Sequence, residues 1–152
     1  VQLSLHADYG LRVLLYLGSH PGEIVSTKRI SESYGISKNH LVRVMQTLGD
    51  AGYIRVIPGR SGGVTLAKDP KMIRLGQVLR DAEPNLHLVE CFDKATNTCP
   101  IISVCGLKSL LTQALEAFIA ELNKHTLSDL LTPARQKTLS AFFVQLQATP
   151  PR

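Results

Sequence analysis

Cysteine is scarce in this sequence, with three in 152 residues, and no long hydrophobic run is present. An odd cysteine count gives no complete disulfide framework, and Cys91, Cys99 and Cys105 all fall within fifteen residues. The longest aliphatic stretch near the start, residues 13–17, follows Asp8 and Arg12 and is too short for a secretory signal or a spanning helix. The expectation is a cytoplasmic protein with no membrane partner. No Cys-x-x-Cys, nucleophile–base pair or internal repeat is evident, so an enzyme using thiols or zinc has no motif to rest on and the chain is read as a non-enzyme. What remains is an ordinary globular composition, 44% hydrophobic, long enough for one domain or two small lobes.

The net charge of +5 is unevenly placed. Residues 1–75 carry ten basic and five acidic side chains, whereas residues 76–152 carry seven of each, so the whole excess lies in the first half. That asymmetry fits a polyanion-binding lobe joined to a neutral one.

Apolar residues at helical spacing mark a first helix over residues 5–17, with Ala7, Leu11, Leu14 and Leu15 on its stripe and Pro21-Gly22 beyond it. Ser26 or Thr27 can cap a second helix that Gly35 ends, and Ser37 can cap a third bearing Leu41, Val44, Met45 and Leu48. Two helices joined by so short a turn read as a helix-turn-helix. On the third helix Asn39, Arg43, Gln46 and Asp50 point away from the apolar stripe, flanked by His40 and Thr47. Such a face can contact base edges or phosphates, the alternative being a solvated polar face. Alternation of Ile54, Val56, Val64 and Leu66 predicts two strands, joined by the tip Gly59-Arg60-Ser61-Gly62-Gly63. A helix-turn-helix followed by such a hairpin is a winged helix, and an arginine on a thin tip can enter a minor groove.

A short helix is expected over residues 73–82, bounded by Pro70 and Pro84, and residues 85–105 show no sustained period. A long helix follows over residues 107–123, with Leu107, Leu111, Ala114 and Phe118 on one stripe. Leu110, Leu115, Ile119 and Leu122 widen that face beyond what one partner surface needs, which points to two-fold dimerisation. Residues 126–131 and a last amphipathic helix with Leu139, Phe142, Phe143 and Leu146 close the chain, the role of that helix being illegible.

Seven residues separate Cys91 from Cys99 and five separate Cys99 from Cys105. Neither gap suits the tight knuckles of structural zinc sites. A soft trio of thiolates at wider spacing suits an iron–sulfur cluster, which needs a fourth ligand. A three-cysteine zinc site completed by His87, or inert or redox thiols, remain alternatives.

Asp8-Tyr9-Gly10-Leu11-Arg12, Ile36-Ser37-Lys38-Asn39-His40-Leu41, Ala51-Gly52-Tyr53-Ile54, Gly59-Arg60-Ser61-Gly62-Gly63-Val64 and the three-cysteine loop together resemble the Rrf-type family of bacterial winged-helix regulators, over about residues 1–131. Leu88-Val89-Glu90-Cys91, Cys99-Pro100-Ile101 and Asn123-Lys124-His125-Thr126-Leu127-Ser128-Asp129-Leu130 look most like that family's nitric-oxide-sensing repressors. The resemblance implies a mainly α fold with a small β-hairpin: a winged helix-turn-helix lobe, a cysteine-bearing loop and a long dimerisation helix. The expected regions are 1–83 for DNA binding, 84–106 for the cluster loop, 107–131 for dimerisation and 132–152 for the last helix and tail.

The same resemblance implies a homodimeric repressor on a palindromic double-stranded operator, released by nitric oxide. Cys91, Cys99 and Cys105 would hold one 4Fe–4S cluster per subunit, 2Fe–2S being the alternative, with Asp8 as fourth ligand reaching across from the other subunit. Lys28, Ser37, Lys38, Asn39, His40, Arg43, Gln46, Arg60, Ser61 and Gly62 form the candidate DNA-contacting set. Two rival readings keep the fold: sensing of iron or redox state, and a zinc- or thiol-containing DNA-binding dimer. The gap between the first two cysteines is longer than the closest pattern has, which bears on how a cluster would sit. Cluster-assembly regulators of the family place a histidine ligand where Lys108 stands, and a lysine ammonium has no free lone pair.

Overall fold

Three serine hydroxyls start the first three helices. In the computed structural model, which describes residues 2–83 and 85–148, Ser4 Oγ accepts the N–H of Ala7 at 3.1 Å, Ser26 Oγ that of Arg29 at 3.2 Å and Ser37 Oγ that of His40 at 3.3 Å. Each satisfies a donor that a helix start leaves unpaired. The helices are α1 (Leu5–Ser19), α2 (Thr27–Tyr34) and α3 (Lys38–Asp50). Gly35 ends α2, and Ser26 rather than Thr27 caps it.

Strands β1 (Ile54–Ile57) and β2 (Gly63–Leu66) pair antiparallel, with Ile54 opposite Leu66 and Val56 opposite Val64. The hairpin is fastened to the segment before α2, because Val25 and Val64 exchange both backbone hydrogen bonds, at 2.9 and 2.8 Å. Ile54 and Val64 point into the core, but Val56 is 59% exposed, contrary to the alternation read from the sequence. It faces the open groove described below.

Helix α4 (Leu75–Ala82) begins two residues later than its apolar pattern predicts. Ile73 and Arg74 are instead held extended: Leu127 N–H donates to Ile73 O at 2.8 Å, and Leu75 N–H to His125 O at 3.0 Å. The expected boundary at Pro84 lies outside the described residues, as do residues 149–152 of the tail. Helices α5 (Leu107–Asn123), α6 (Leu127–Leu130) and α7 (Pro133–Ala148) complete the chain.

Helix α1 is the central element, packed against α3, α4, α6 and α7. Its buried side runs through Ala7, Val13, Leu14, Tyr16 and Leu17, so Leu11 and Leu15, read as part of its core stripe, are only half-buried at the margin. Leu41, Val44, Met45 and Leu48 of α3 are all buried as their spacing predicts. Burying such a side chain stabilises the fold by about 1.5–3 kcal/mol, and this stripe is what fixes the rotation of α3. Helix α7 lies against α1 and α2, with Phe143 buried and Phe142 turned outward.

Helix α5 crosses α4 at Gly76, where a Cβ would come within 2.5 Å of Ile119 O. That close approach explains which of its two apolar faces is inward. Ile119 is buried, and Leu115 and Leu122 pack with it beside Ala7, Leu79 and Ala82. Leu107, Leu110 and Phe118 face outward, 56%, 63% and 42% exposed. No described helix is long and apolar enough to cross a membrane.

Candidate nucleic-acid interface and cysteine loop

Because the apolar stripe of α3 is buried, its opposite face is presented to solvent. Lys38, Asn39, His40, Arg43, Gln46 and Asp50 are all exposed. Across from them stands the hairpin, and an open groove of about 710 Å³ runs between the two, lined by Val42, Gln46, Arg55, Val56 and Gly59 among others. Arg60 and Ser61 project at the exposed hairpin tip. Gly62 serves the tip's geometry: a Cβ there would meet Ile57 O at 2.2 Å, while its N–H donates to Gly59 O at 3.0 Å.

The arginines sort cleanly by partner. Arg12 pairs with Asp8, Arg29 with Glu23 and Arg80 with Glu116, while Arg74 donates to Asn123 O and Arg135 to Asp129 O. Among the described residues, the side chains of Arg43, Arg55 and Arg60 have no intramolecular partner, nor do those of Lys38, Asn39 and Gln46. All belong to α3 and the hairpin, the elements that flank the groove. Lys28 is exposed at the start of α2 and reaches Glu32 at 3.7 Å, Ser37 is engaged as the cap of α3, and the His40 ring stands edge-on to Tyr9 at 5.8 Å. Arg55 is the interface candidate that sequence reading missed. Strand alternation points it outward, but only the position of β1 beside α3 places it on the wall of the groove.

The hairpin is braced from behind. The Tyr53 hydroxyl donates to Asp81 Oδ2 at 2.6 Å, and Gln77 Nε2 donates to the other oxygen at 2.9 Å, tying the base of β1 to α4. Burial and the bond to Asp81 both push the Tyr53 phenol above its ordinary range, so it stays a donor at any physiological pH. Lys68 covers the Tyr53 ring with its ammonium 4.8 Å from the centroid.

The cysteines lie on residues 85–106, where local polar bonds take the place of periodic structure. A short turn over Glu90–Phe92 opens the segment. The Glu90 carboxylate accepts both the hydroxyl of Thr98, at 2.7 Å, and its N–H. Asp93 accepts the Ala95 N–H at 2.8 Å and the Thr96 hydroxyl at 3.0 Å, and Asn97 Oδ1 accepts the Cys99 N–H at 3.2 Å. Hydrogen bonds from Thr98 to Glu90, and from the Ala95 amide and Thr96 hydroxyl to Asp93, hold both carboxyls below the ordinary range.

Cys91, Cys99 and Cys105 are free thiols, each half-exposed. His87, the alternative ligand, lies edge-on to Phe92 at 6.5 Å. Among the described residues no three histidine, cysteine, aspartate or glutamate side chains converge on a common metal position. Asp8 is on α1, where Arg12 Nη2 contacts it at 2.7 Å and Arg12 Nε donates to its other oxygen at 3.0 Å. Among the described residues, a single chain therefore gathers neither the three cysteines nor Asp8 with two of them around one metal position.

Residues 3–133 match the profile of the Rrf2 family, described as iron-dependent transcriptional regulators. The HTH-type transcriptional regulator NsrR of Bacillus subtilis is 48% identical over 132 residues, covering 86% of this chain and 90% of that protein. NsrR of Halalkalibacterium halodurans is 47% identical over 133 residues, covering 87% and 91%. Among solved structures, T. potens IscR superposes with a TM-score of 0.69 at 27% identity, covering 88% of both chains. CymR, the global cysteine regulator of B. subtilis, gives 0.65 at 25% identity, covering 86% of this chain and 95% of that one.

Proposed function

The chain belongs to the Rrf2 family of transcriptional regulators, and we propose that it acts as a homodimeric repressor that carries an iron–sulfur cluster and leaves its operator in response to nitric oxide. The observation that carries DNA binding is the set of unpartnered arginines, Arg43, Arg55 and Arg60, on the two elements flanking one groove. Placing α3 in a major groove sets its exposed side chains against base edges, while Arg60 at the tip follows the phosphates or the adjacent minor groove. The outward stripe of Leu107, Leu110 and Phe118 on α5, continued by the exposed Ile101 and Val104, supplies an apolar surface for a second copy. A two-fold dimer reads a palindrome whose half-sites lie about 10–11 base pairs apart.

The cysteine loop fits the cofactor by the chemistry of its donors: three reduced thiols on one accessible segment, none engaged in a disulfide. Cys91, Cys99 and Cys105 would hold a 4Fe–4S cluster, with Asp8 as the oxygen ligand reached across the dimer. Bound there, the cluster supplies iron, for which nitric oxide competes with the protein's own donors. Arg12 takes one lone pair from each Asp8 oxygen, which orients the carboxylate and leaves a second lone pair on each for a metal. A carboxylate oxygen is a poorer donor to soft iron than a thiolate, so Asp8 is the ligand most readily given up. To change an operator from mostly occupied to mostly free, the two states of the protein must differ in DNA affinity by about two to four powers of ten.

The test is nitric oxide titration of anaerobically purified protein on a duplex selected by that protein from random sequence. Loss of binding together with loss of the cluster's visible absorbance is expected. Equal affinity before and after nitric oxide would sink the proposal, and a Cys99→Ala variant retaining full iron would remove Cys99 from the ligand set. The family's iron-dependent description favours a second reading, in which iron supply is the signal. Under that reading chelation releases the DNA and nitric oxide does not.

Asp8→Ala separates two roles for α1. As an exposed i,i+4 pair with Arg12, Asp8 contributes at most about 1 kcal/mol to stability. Near-unchanged thermal stability with a labile cluster and an altered nitric oxide response is expected. An unchanged response would return Asp8 to the role of surface ion-pair partner.

A further inference from the structure

Residues 92–98 are the longer of the two spacers between cysteines, and they are folded upon themselves. Glu90 immediately precedes Cys91, and Thr98 immediately precedes Cys99. The bonds from Thr98 to the Glu90 carboxylate therefore join equivalent positions on either side of the spacer. Within it, Asp93 gathers Ala95 and Thr96, and Asn97 fixes the Cys99 amide. We propose that Glu90 is a positioning residue: it closes residues 92–98 into a loop and so holds the Cys91 and Cys99 backbones as neighbours.

The physical case is one of chain statistics. An unconstrained spacer of this length lets its ends separate by about 15 Å on root-mean-square average, from roughly 5–6 Å times the square root of the residue number. Such a spread is wide for two thiols that must reach one small object. The carboxylate of Glu90 is exposed, so its fixed conformation owes nothing to burial. What holds it is the pair of Thr98 donors, a charge-assisted arrangement stronger than neutral hydrogen bonds. The length of the spacer is thereby taken out of the distance between its ends, and the extra residues form a side loop. This inference rests on the reading of Cys91 and Cys99 as ligands of one cluster, but its test needs no metal.

The test uses the full-length, metal-free chain carrying Cys105→Ser, so that only Cys91 and Cys99 can pair. Equilibrated with glutathione, the two thiols are oxidised to one disulfide while one glutathione disulfide is reduced to two glutathiones. The oxidised fraction, read by mass spectrometry after acid quench, gives the effective concentration of one thiol at the other. Glu90→Ala should lower that value about tenfold, with circular dichroism and melting temperature unchanged because the residue is exposed. Glu90→Gln, which keeps an acceptor oxygen for Thr98 but not its charge, should restore part of it. An effective concentration equal in Glu90→Ala and the parent overturns the proposal. Failure of the cluster reading would look different: the natural chain would take up no iron or sulfide, whatever the thiol pair does.

Discussion

Replacing Arg43 by alanine should weaken operator binding at least about thirtyfold, with the fold and any bound iron unaffected. Arg43 is exposed on α3 and, among the described residues, has no partner to lose. A bidentate arginine–guanine contact is worth about 1–3 kcal/mol. Two copies in a dimer double this to about 2–6 kcal/mol, or roughly thirtyfold to more than ten-thousandfold in affinity. Fluorescence anisotropy at several salt concentrations distinguishes how Arg43 acts. A base contact relaxes preference at one operator position and leaves most of the salt dependence in place. A phosphate contact weakens all sequences alike and lowers the salt slope by about one per subunit. Arg55→Ala and Arg60→Ala, at the groove wall and tip, should show the phosphate-like pattern. Arg80→Ala is the control, since it removes the same charge from a residue paired with Glu116 between α4 and α5. If Arg80→Ala weakened binding as much as Arg43→Ala, net charge rather than the α3 surface would be responsible.

The parts of this interface that were legible in the sequence are those written in local rules. Serine caps at positions 26 and 37, Gly35 between them and the spacing of Leu41, Val44, Met45 and Leu48 fix where α3 starts, which face it buries and hence where Arg43 points. The width of the apolar face on α5 was legible too, although only its crossing of α4 at Gly76 tells that Ile119 faces in and Leu110 out. Arg55 escaped because its meaning lies in the packing of β1 beside α3, not in β1 itself. The internal order of the cysteine loop escaped for a different reason: it comes from side-chain-to-backbone bonds such as Thr98 to Glu90, which leave no hydrophobic period to detect. For the ligand set the limit is the single chain, which pairs Asp8 with Arg12 on α1 and, among the described residues, gathers no three of the candidate ligands at one point.

The role of helix α7 was illegible because what orients it is more than a hundred residues away, and Phe143→Ala should show how much depends on it. Two adjacent phenylalanines leave the inward one undecided in the sequence, but the structure buries Phe143 to 3% exposure and leaves Phe142 at 54%. The Phe143 ring lies 4.5 Å from that of Tyr16 on α1 and 5.3 Å from that of Tyr34 on α2. Around it, Gln147 Nε2 donates to the Tyr16 hydroxyl at 2.9 Å and to Ser33 Oγ at 3.1 Å, and the Ser140 hydroxyl donates to Ser19 O at 2.8 Å. Removing the ring should cost about 3–5 kcal/mol. At about 2–4 °C per kcal/mol for a chain of this size, the melting temperature should fall by roughly 10 °C. Phe142→Ala should cost within about 0.5 kcal/mol. The functional consequence follows from what Phe143 touches: α2 is the first helix of the helix-turn-helix, and Tyr34 at its end donates to Arg12 O at 3.1 Å. Loosening α7 therefore loosens the support of α2 and the α1 turn that carries Asp8 and Arg12. DNA affinity should fall in Phe143→Ala even at temperatures where the protein remains folded. Equal melting temperatures for Phe142→Ala and Phe143→Ala would mean that α7 does not dock on the DNA-binding lobe.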